Sequence, residues 1–316
     1  MQRTKRFRTL FIVGCPRSGT TWVQLLLARH PEVATAPETQ IVAYYLSHFR
    51  RQWEHERRGA ERQQGAAGLS RLLDEDGFRE LCRLNVQHVL ERIAATSPGA
   101  SLVVEKSPLH AVHAEFIHGL LPDAYFLHVI RDPRDTVASL LAAGRSWGRD
   151  WAPRNPTDAA RLWVRQVTGG RRVARLTDRY REVRYEALLA DPVAELEEIL
   201  AWLDLSGDRA FCEAAVAACD FDRLRRGADG AKIPIPGERS PAGFFRRGTA
   251  GAWRTELSRS ELRVVERICG ATLREIGYEP TLPARRTTPL RITLHDALHR
   301  VREAVDWQLQ RLVERI

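Results

Sequence analysis

The 316 residues are 44% hydrophobic and 28% charged, as in soluble globular proteins, and their net charge of +9 favours anionic ligands (nucleotide, nucleic acid, acidic glycan or anionic lipid) without choosing among them. No apolar run approaches the ~20 residues of a membrane span, and the run from Leu10 to Val13 is shorter than the ~7–15 residues of a signal-peptide core. The five scattered cysteines form no C-x-x-C pair, which argues against a zinc site or a disulfide framework, so we expect a cytoplasmic protein with reduced thiols.

The first predicted element is a buried strand over 9–15, TLFIVGC, and the second is a helix that follows Gly19 and ends at His30. The later elements are, in chain order, a helix over 76–95, a strand over 101–107, helical residues near 108–119, a strand over 124–132, a helix over 134–144, a loop over 151–156, a helix over 157–178 and a strand over 182–186 with helices beyond it. Strands that alternate with helices predict an α/β fold in which helices flank a central parallel sheet.

The last third of the chain has a different character. Residues 225–253 are rich in glycine and proline and too long for a plain connector, which is typical of a functional or disordered loop. We expect the main domain to cover 1–280, and 281–316 to form a linker and a C-terminal amphipathic helix. Its apolar stripe could pack on the domain or mediate homodimerisation, and its arginines could meet a membrane surface.

The segment FIVGCPRSGTTW, residues 11–22, predicts an anion-binding loop. It nearly matches the Gly-x4-Gly-Lys-[Ser/Thr] phosphate loop, but Thr20 stands where the lysine would be, and the cation is Arg17 instead. A glycine-bounded loop between a buried strand and a helix presents backbone N–H groups to an anion, and the helix dipole adds to the attraction. The missing lysine argues against ordinary ATP or GTP hydrolysis, because that lysine contacts the β- and γ-phosphates.

Five motifs follow one another over roughly residues 8–260: PRSGTTW, VIRDPRDTVASLL, RYEALLADP, DFDRLR and FFRRGTAGAW. In this order they resemble the motifs of sulfotransferases that use 3′-phosphoadenosine 5′-phosphosulfate (PAPS). PRSGTTW is similar to the 5′-phosphosulfate loop, VIRDPRDTVASLL to the 3′-phosphate segment, RYEALLADP and DFDRLR to the adenine-contacting segments, and FFRRGTAGAW to the closing loop. The resemblance implies a P-loop-like three-layer fold, PAPS as co-substrate and no metal. The implied nucleotide-binding residues are Pro16, Arg17, Ser18, Gly19, Thr20, Thr21, Trp22, Arg131, Ser139, Tyr185, Phe221, Arg246, Arg247 and Gly248.

The same resemblance implies the catalytic residues. Lys106 matches a cation of both the cytosolic and the tyrosylprotein branches, and with Arg17 it would stabilise the departing phosphate. Pro108 occupies the position of the cytosolic branch's base histidine, whereas Glu38 matches the glutamate of the tyrosylprotein branch. We therefore expect Glu38 to be the general base, with His110, and in reserve His113, as the alternative.

The sequence leaves the acceptor and two other functions open. A kinase of the phosphate-loop class would need a Mg²⁺-holding carboxylate, for which Asp132 is the candidate, and a non-catalytic polyanion binder would explain only the charge. Ala252 replaces an acidic residue of many cytosolic members, which puts the anchoring of the closing loop in doubt. For the acceptor we expect a small-molecule, glycan or lipid-linked hydroxyl, with an amine as the alternative acceptor group, and no nucleic acid. The candidate pocket walls are Tyr44, Tyr45, Trp53, Trp147 and Trp151.

Overall fold

A computed structural model describes residues 7–61, 68–225, 243–246 and 248–282. The predicted C-terminal amphipathic helix, Arg247 and most of the Gly/Pro-rich segment lie outside these residues. The proposed boundary between 280 and 281 therefore stays a prediction.

The centre of the fold is a parallel sheet of five strands in the order β2-β3-β1-β4-β5. The strands are β1 (Arg8–Gly14), β2 (Val33–Thr35), β3 (Leu102–Lys106), β4 (Tyr125–Ile130) and β5 (Tyr180–Arg184). β1 is the middle strand, and Ile12 pairs with Lys106 on one side while Gly14 pairs with Val129 on the other. The ends of β3 and β4 therefore flank the loop that follows β1.

Helices cover both faces of this sheet. They are α1 (Thr20–Leu27), α2 (Ser47–Glu61), α3 (Glu75–Ala94), α4 (Ala114–Leu120), α5 (Pro133–Gly144), α6 (Pro156–Arg172), α7 (Tyr185–Ala190), α8 (Pro192–Trp202), α9 (Arg209–Ala218), α10 (Phe221–Arg225), α11 (Trp253–Glu256) and α12 (Arg259–Glu275). Among these described residues, no helix combines the length and the apolar composition that crossing a bilayer requires.

The side chains of β1 alternate between two cores, as the two-residue period of a strand requires. Leu10 and Ile12 pack in one apolar cluster, which includes residues of α1 and α8. Phe11 and Val13 pack in another, which includes residues of α3 and α4. Because β1 is buried on both faces, the predicted three-layer fold with a central parallel sheet is confirmed.

Three local differences separate the structure from the sequence prediction. The short strand β2 and the helix α2 were not predicted, because three residues are too few for a periodic pattern and α2 is strongly charged. The predicted strand over 182–186 is displaced: β5 ends at Arg184, which pairs with Ile130, and Tyr185 begins α7.

All five cysteines are buried and free, in agreement with the expected reduced thiols.

Candidate active site

The loop between β1 and α1 has a backbone that few residues can adopt. Arg17 has a φ of 75° and Gly19 a φ of 103°, both in the left-handed region. A Cβ on Gly19 would also lie 2.4 Å from the ring of Tyr185. Gly19 is therefore required both by its conformation and by the close approach of Tyr185.

The loop opens into a cavity of about 490 Å³. Most of the residues that the sequence predicted for the site line it: Pro16, Arg17, Gly19, Thr20, Thr21, Trp22, Glu38, Arg131, Ser139, Tyr185, Phe221, Arg246 and Gly248. Ser18, Lys106 and His110 do not line it, and Arg247 lies outside the described residues. Segments that are far apart in the chain thus meet at the carboxyl end of the sheet, where parallel α/β folds bind ligands.

Three arginines give this cavity a positive potential. Arg17 donates from Nε to Ser139 Oγ at 3.2 Å, and its guanidinium lies 4.5 Å from the ring centre of Phe244. Arg131 donates to the carbonyl oxygen of Arg17 at 3.3 Å. Burial, together with the positive charges of Arg131 and Arg246, lowers the pKa of Arg17 to about 10. Like charges held this close favour an anionic ligand between them.

Several buried donors in the cavity lining or next to it have no hydrogen-bond partner within the part of the chain that is described. They include Ser18 Oγ in the loop, Arg131 Nε and Arg246 Nε. Buried donors are ordinarily satisfied, so the unpaired ones indicate groups that a ligand completes. Their chemistry, a hydroxyl and two guanidinium groups, suits phosphate or sulfate oxygens.

Aromatic rings form another part of the cavity wall. The Trp22 indole donates to the carbonyl oxygen of Cys219 at 3.2 Å, and its ring meets Tyr185 edge to face at 6.1 Å. Phe221, the first residue of α10, packs close to Gly248. A Cβ on Gly248 would lie 2.4 Å from the Phe221 ring. Flat faces held beside cations suit a purine ring with phosphates attached.

The closing loop is anchored by Asp135, although Ala252 lacks a carboxylate. Asp135 accepts hydrogen bonds from the backbone N–H groups of Gly251 at 2.7 Å and Trp253 at 2.9 Å. Asp135 lies in the first turn of α5, so the 3′-phosphate segment of the sequence carries the anchor itself. Asp135 is part of the RDPRD stretch, but nothing in the sequence links this stretch to Gly251 and Trp253, which lie more than a hundred positions later.

The two predicted catalytic residues Glu38 and Lys106 are in direct contact. Lys106 Nζ lies 2.5 Å from Glu38 Oε1 and donates to Thr21 Oγ1 at 3.3 Å. Gln40 Nε2 donates to the other oxygen of Glu38 at 2.7 Å. The Lys106 side chain is 1% exposed and that of Glu38 is 34% exposed, so the carboxylate faces the cavity and the ammonium supports it from behind.

With this geometry in place, the comparisons with known proteins identify the family. A family model described as "Sulfotransferase family" matches residues 9–209, more than half of the chain. The chain belongs to the sulfotransferase family. Membership in this family supports the conclusion that the protein is an enzyme that transfers sulfuryl groups.

Among characterised relatives, the chain is 25% identical over 300 residues to the nodulation protein NoeE of Sinorhizobium fredii, which covers 87% of this chain and 67% of NoeE. It is 32% identical over 133 residues to the protein-tyrosine sulfotransferase of Drosophila melanogaster, which covers 42% of this chain and 25% of that enzyme. The chain therefore spans about two thirds of the first relative and a quarter of the second.

Solved sulfotransferase structures share the fold. The mouse sulfotransferase SULT7A1 complexed with PAP has a TM-score of 0.56 at 16% identity, over 85% of this chain and 86% of that one. The sulfotransferase domain of the curacin biosynthetic pathway has a TM-score of 0.54 at 18% identity, over 88% and 100%. At such identities the likeness concerns the fold alone.

In this sulfotransferase, the expectation that His110 points into the site disagrees with its placement. His110 is fully buried; its Nε2 accepts from the backbone N–H of Val42 at 3.1 Å, and its Nδ1 lies 3.0 Å from Glu105 Oε2. The reserve candidate His113 does not line the cavity either, and burial lowers its pKa to about 4. The residues after Lys106 form a tight 3₁₀ turn, Pro108–His113, which aims His110 into the core.

The structure brings only some of the residues predicted for the acceptor walls to the cavity of the sulfotransferase. Tyr44, Trp147 and Trp151 line the cavity. Trp53 instead stacks on Phe78 in the core, 4.3 Å between ring centres, and Tyr45 is absent from the lining. Phe244 and Phe245 also line the cavity, although no motif in the sequence assigned them to it. Their pairing within an otherwise Gly- and Pro-rich segment was the available signal.

Asp132, the candidate Mg²⁺ ligand of a kinase, is committed elsewhere in the sulfotransferase. Its carboxylate accepts from the Arg134 backbone N–H at 2.8 Å and pairs with the Arg134 guanidinium at 2.7 Å. Glu38 is the single acidic residue among those that line the cavity. Across the described ranges, no group of three or more His, Cys, Asp or Glu side chains is arranged to hold a metal ion.

Proposed function

We propose that the protein transfers the sulfuryl group of PAPS to an acceptor hydroxyl and releases adenosine 3′,5′-bisphosphate (PAP). The observation that supports this most is the convergence of Arg17, Arg131 and Arg246 on a cavity that is also lined by the aromatic rings of Trp22 and Tyr185. A nucleotide with phosphate groups on both sides of its ribose matches that combination of cations and flat faces.

In this proposal the loop amides, together with Thr20 and Thr21, hold the 5′-phosphosulfate, because a helix N-terminus with free N–H groups attracts anions. Arg131 and Ser139 hold the 3′-phosphate, and the closing loop supplies Arg246, Arg247 and Gly248. Trp22, Tyr185 and Phe221 hold the adenine. Because Arg17 donates to Ser139, its positive charge lies beside the proposed 3′-phosphate site, and in this proposal it also stabilises the departing 5′-phosphate.

Glu38 acts as general base in this proposal, taking the proton of the acceptor hydroxyl as the new S–O bond forms and the S–O bond to the 5′-phosphate breaks. Lys106 compensates the charge that grows on the leaving phosphate. The Lys106–Glu38 contact fits both roles, because an ammonium drawn towards a phosphate leaves the carboxylate free to accept a proton. The chemistry is proposed to need no metal ion.

The acceptor class is proposed from the lining. Tyr44, Trp147 and Trp151 offer ring faces to a flat or ring-shaped molecule that carries a hydroxyl. Small molecules, glycans and lipid-linked hydroxyl compounds all meet this description. The tyrosine acceptors in the names of some relatives are not assigned to this chain, since its match covers a minor part of those enzymes.

Isothermal titration of the protein with PAP, without metal, and with ATP–Mg²⁺ tests the proposal. We expect PAP to bind in the micromolar range or tighter and ATP–Mg²⁺ to bind more weakly. A preference for ATP–Mg²⁺ would indicate a kinase, and binding of neither would indicate a polyanion binder. A screen of hydroxyl acceptors with ³⁵S-labelled PAPS then identifies the substrate, with Lys106→Ala protein as the blank.

A further inference from the structure

A fully buried carboxylate, Glu105, lies directly behind the proposed transfer site. It precedes Lys106 in β3, and since successive strand residues point to opposite faces, its side chain points away from the Lys106 side chain. Glu105 Oε1 accepts from Thr39 Oγ1 at 2.7 Å and from Ser107 Oγ at 2.6 Å. His110 Nδ1 lies 3.0 Å from the other oxygen.

These contacts hold the segment that carries the general base, residues 38–42. Ser107 Oγ, which donates to Glu105, accepts from the backbone N–H of Gln40 at 3.0 Å. His110 accepts from the backbone N–H of Val42 at 3.1 Å. Thr39 is bonded to Glu105 directly. Consecutive parts of one loop are thus tied to a single buried group.

The loop needs such ties because its backbone is unfavourable. Gln40 has a φ of 52° and a ψ of 18°, a left-handed conformation that a residue with a side chain adopts only when its surroundings enforce it. This conformation accompanies the hydrogen bond from the Gln40 side-chain amide to Glu38 Oε2. Whatever holds Gln40 in this turn therefore also orients the carboxylate of Glu38.

The network also specifies the form of His110. Its Nε2 accepts a hydrogen bond and so carries no proton, which leaves Nδ1 as the protonated nitrogen, facing Glu105. Burial raises the pKa of Glu105, but His110 and the hydrogen bonds from Ser107 and Thr39 outweigh burial and lower the pKa to about 2. Glu105 is therefore ionised near neutral pH, and Thr39, Ser107 and His110 surround its carboxylate.

We propose that Glu105, acting through Ser107 and His110, is the positioning residue that holds Glu38 in its catalytic orientation. The inference rests on the proposed function for the role of Glu38, and the contacts that carry it are independent of that role. Glu105 does not line the cavity, so it acts on the reaction only by way of the 38–42 loop. A displacement of about 1 Å at a reacting group costs on the order of 100-fold in rate, so the loss of this anchor has a measurable effect.

A double-mutant cycle with Glu38 tests this assignment. We expect Glu105→Gln to lower kcat about 10- to 100-fold in the native background and to change it less than twofold in the Glu38→Gln background, because Glu105 acts through Glu38. The dissociation constant of PAP should stay within threefold in both. Equal losses of kcat in the two backgrounds, or a parallel loss of PAP affinity, would overturn the assignment, and so would an unchanged kcat.

Two further variants separate positioning from folding. Glu266→Gln is the matched control, since Glu266 is another buried glutamate in an ion pair, with Arg134 at 3.1 Å, away from the cavity. It should lower the melting temperature while kcat stays within twofold. Ser107→Ala removes only the link between Glu105 and the Gln40 backbone, and should lower kcat about tenfold even if Glu105→Gln folds poorly.

Amide hydrogen exchange tests whether the hydrogen-bond network around Glu105 holds the 38–42 loop, and it needs no assay of turnover. The amides of Gln40 and Val42 should exchange at least tenfold faster in Glu105→Gln than in the native protein, while those of β4 remain unchanged. Unchanged exchange at Gln40 and Val42 would refute the network. If the native protein transferred no sulfuryl group but these amides lost protection, the proposed function would fail while the network stood.

Discussion

The two halves of the cavity are built in different ways. In the proposed nucleotide half, single motifs contribute whole groups of neighbours: the loop and the start of α1 supply Gly19 to Trp22, and the segment that runs from the end of β4 into α5 supplies Arg131 and Ser139. In the transfer half, Glu38 and Lys106 come from segments 68 positions apart and meet side chain to side chain. Their arrangement depends on Glu105, which neither motif includes.

Because the two halves are built differently, substitutions should affect nucleotide binding and catalysis in different ways. In the proposed function, backbone N–H groups and several cations hold the phosphate, so the loss of one contact leaves the others in place. The proposed proton transfer takes place at one carboxylate, and the orientation of that carboxylate rests on a single loop. Substitutions in the transfer half should therefore change turnover, and substitutions in the nucleotide half should mainly change affinity.

Glu38→Gln is expected to have the largest effect. Removal of the base should lower kcat by about 10²- to 10⁴-fold, the range that general-base catalysis supplies, with PAP affinity within threefold. Steady-state kinetics with labelled PAPS measures the first and calorimetry the second. Glu32→Gln, a carboxylate bonded to Ser101 outside the cavity, serves as control. Turnover retained in Glu38→Gln would remove Glu38 from the mechanism.

Lys106→Ala should lower kcat by about 10²- to 10³-fold, because a buried ammonium that compensates developing charge is lost. Lys106→Met keeps most of the buried volume and should lose nearly as much, since charge rather than packing is responsible. If Lys106→Met had native turnover while Lys106→Ala did not, the role of Lys106 would be structural. Comparison of the two melting temperatures checks that both variants fold.

Arg131→Ala tests the nucleotide half. Loss of one charged hydrogen-bonding group, worth about 1.5–3 kcal/mol, should weaken PAP binding roughly 10- to 150-fold and leave kcat at saturating PAPS within about threefold. Arg145→Ala, which changes an exposed arginine at the C-terminal end of α5, should bind PAP normally. A fall in kcat at saturation for Arg131→Ala would mean that the two halves are not separable.

The smallest expected effect concerns the sheet beneath both halves. Burial lowers the pKa of His128 to about 4, whereas in the unfolded chain it is near 6.5. As pH falls from 6.5 to 4, the unfolded chain takes up a proton that the folded one does not, so stability is lost over that window and is fully present above it. Urea unfolding at pH 7.5 and pH 5 should differ by on the order of 1–2 kcal/mol from this group. The pH dependence should be smaller in His128→Gln; an identical dependence there would assign the effect to other groups.

The fold was predictable where the residue pattern had one structural solution. The run at 9–15 is apolar at consecutive positions, which suits a strand buried on both faces, and the structure has β1 there. Helix α2 was missed because most of its residues are charged or polar, and few apolar positions mark the face that packs on Phe78. Trp53 was assigned to the acceptor wall for the same reason: its partner in the core was unknown.

The candidate site divides along the same line. The residues of the motif at 16–22 could be predicted as a phosphate-binding loop, because phosphate binding by a loop depends on local backbone geometry, which glycines and a following helix determine. The placement of His110 in the core, the anchoring of the closing loop by Asp135 and the ties from Glu105 to the 38–42 loop are contacts between distant segments. No spacing in a single sequence encodes such contacts.

The sequence by itself determined the parallel α/β class and predicted an anion-binding loop without its lysine, because both follow from short-range patterns of burial, turn chemistry and charge. The other residues predicted for the nucleotide half follow from the resemblance to PAPS-dependent sulfotransferases. Only the tertiary structure decided that Lys106 supports Glu38, that His110 faces Glu105 and that aromatic rings of the Gly/Pro-rich segment join the cavity. The physical reason is that parallel strands bring the ends of distant segments to one edge of the sheet, and which side chains meet there depends on register and packing.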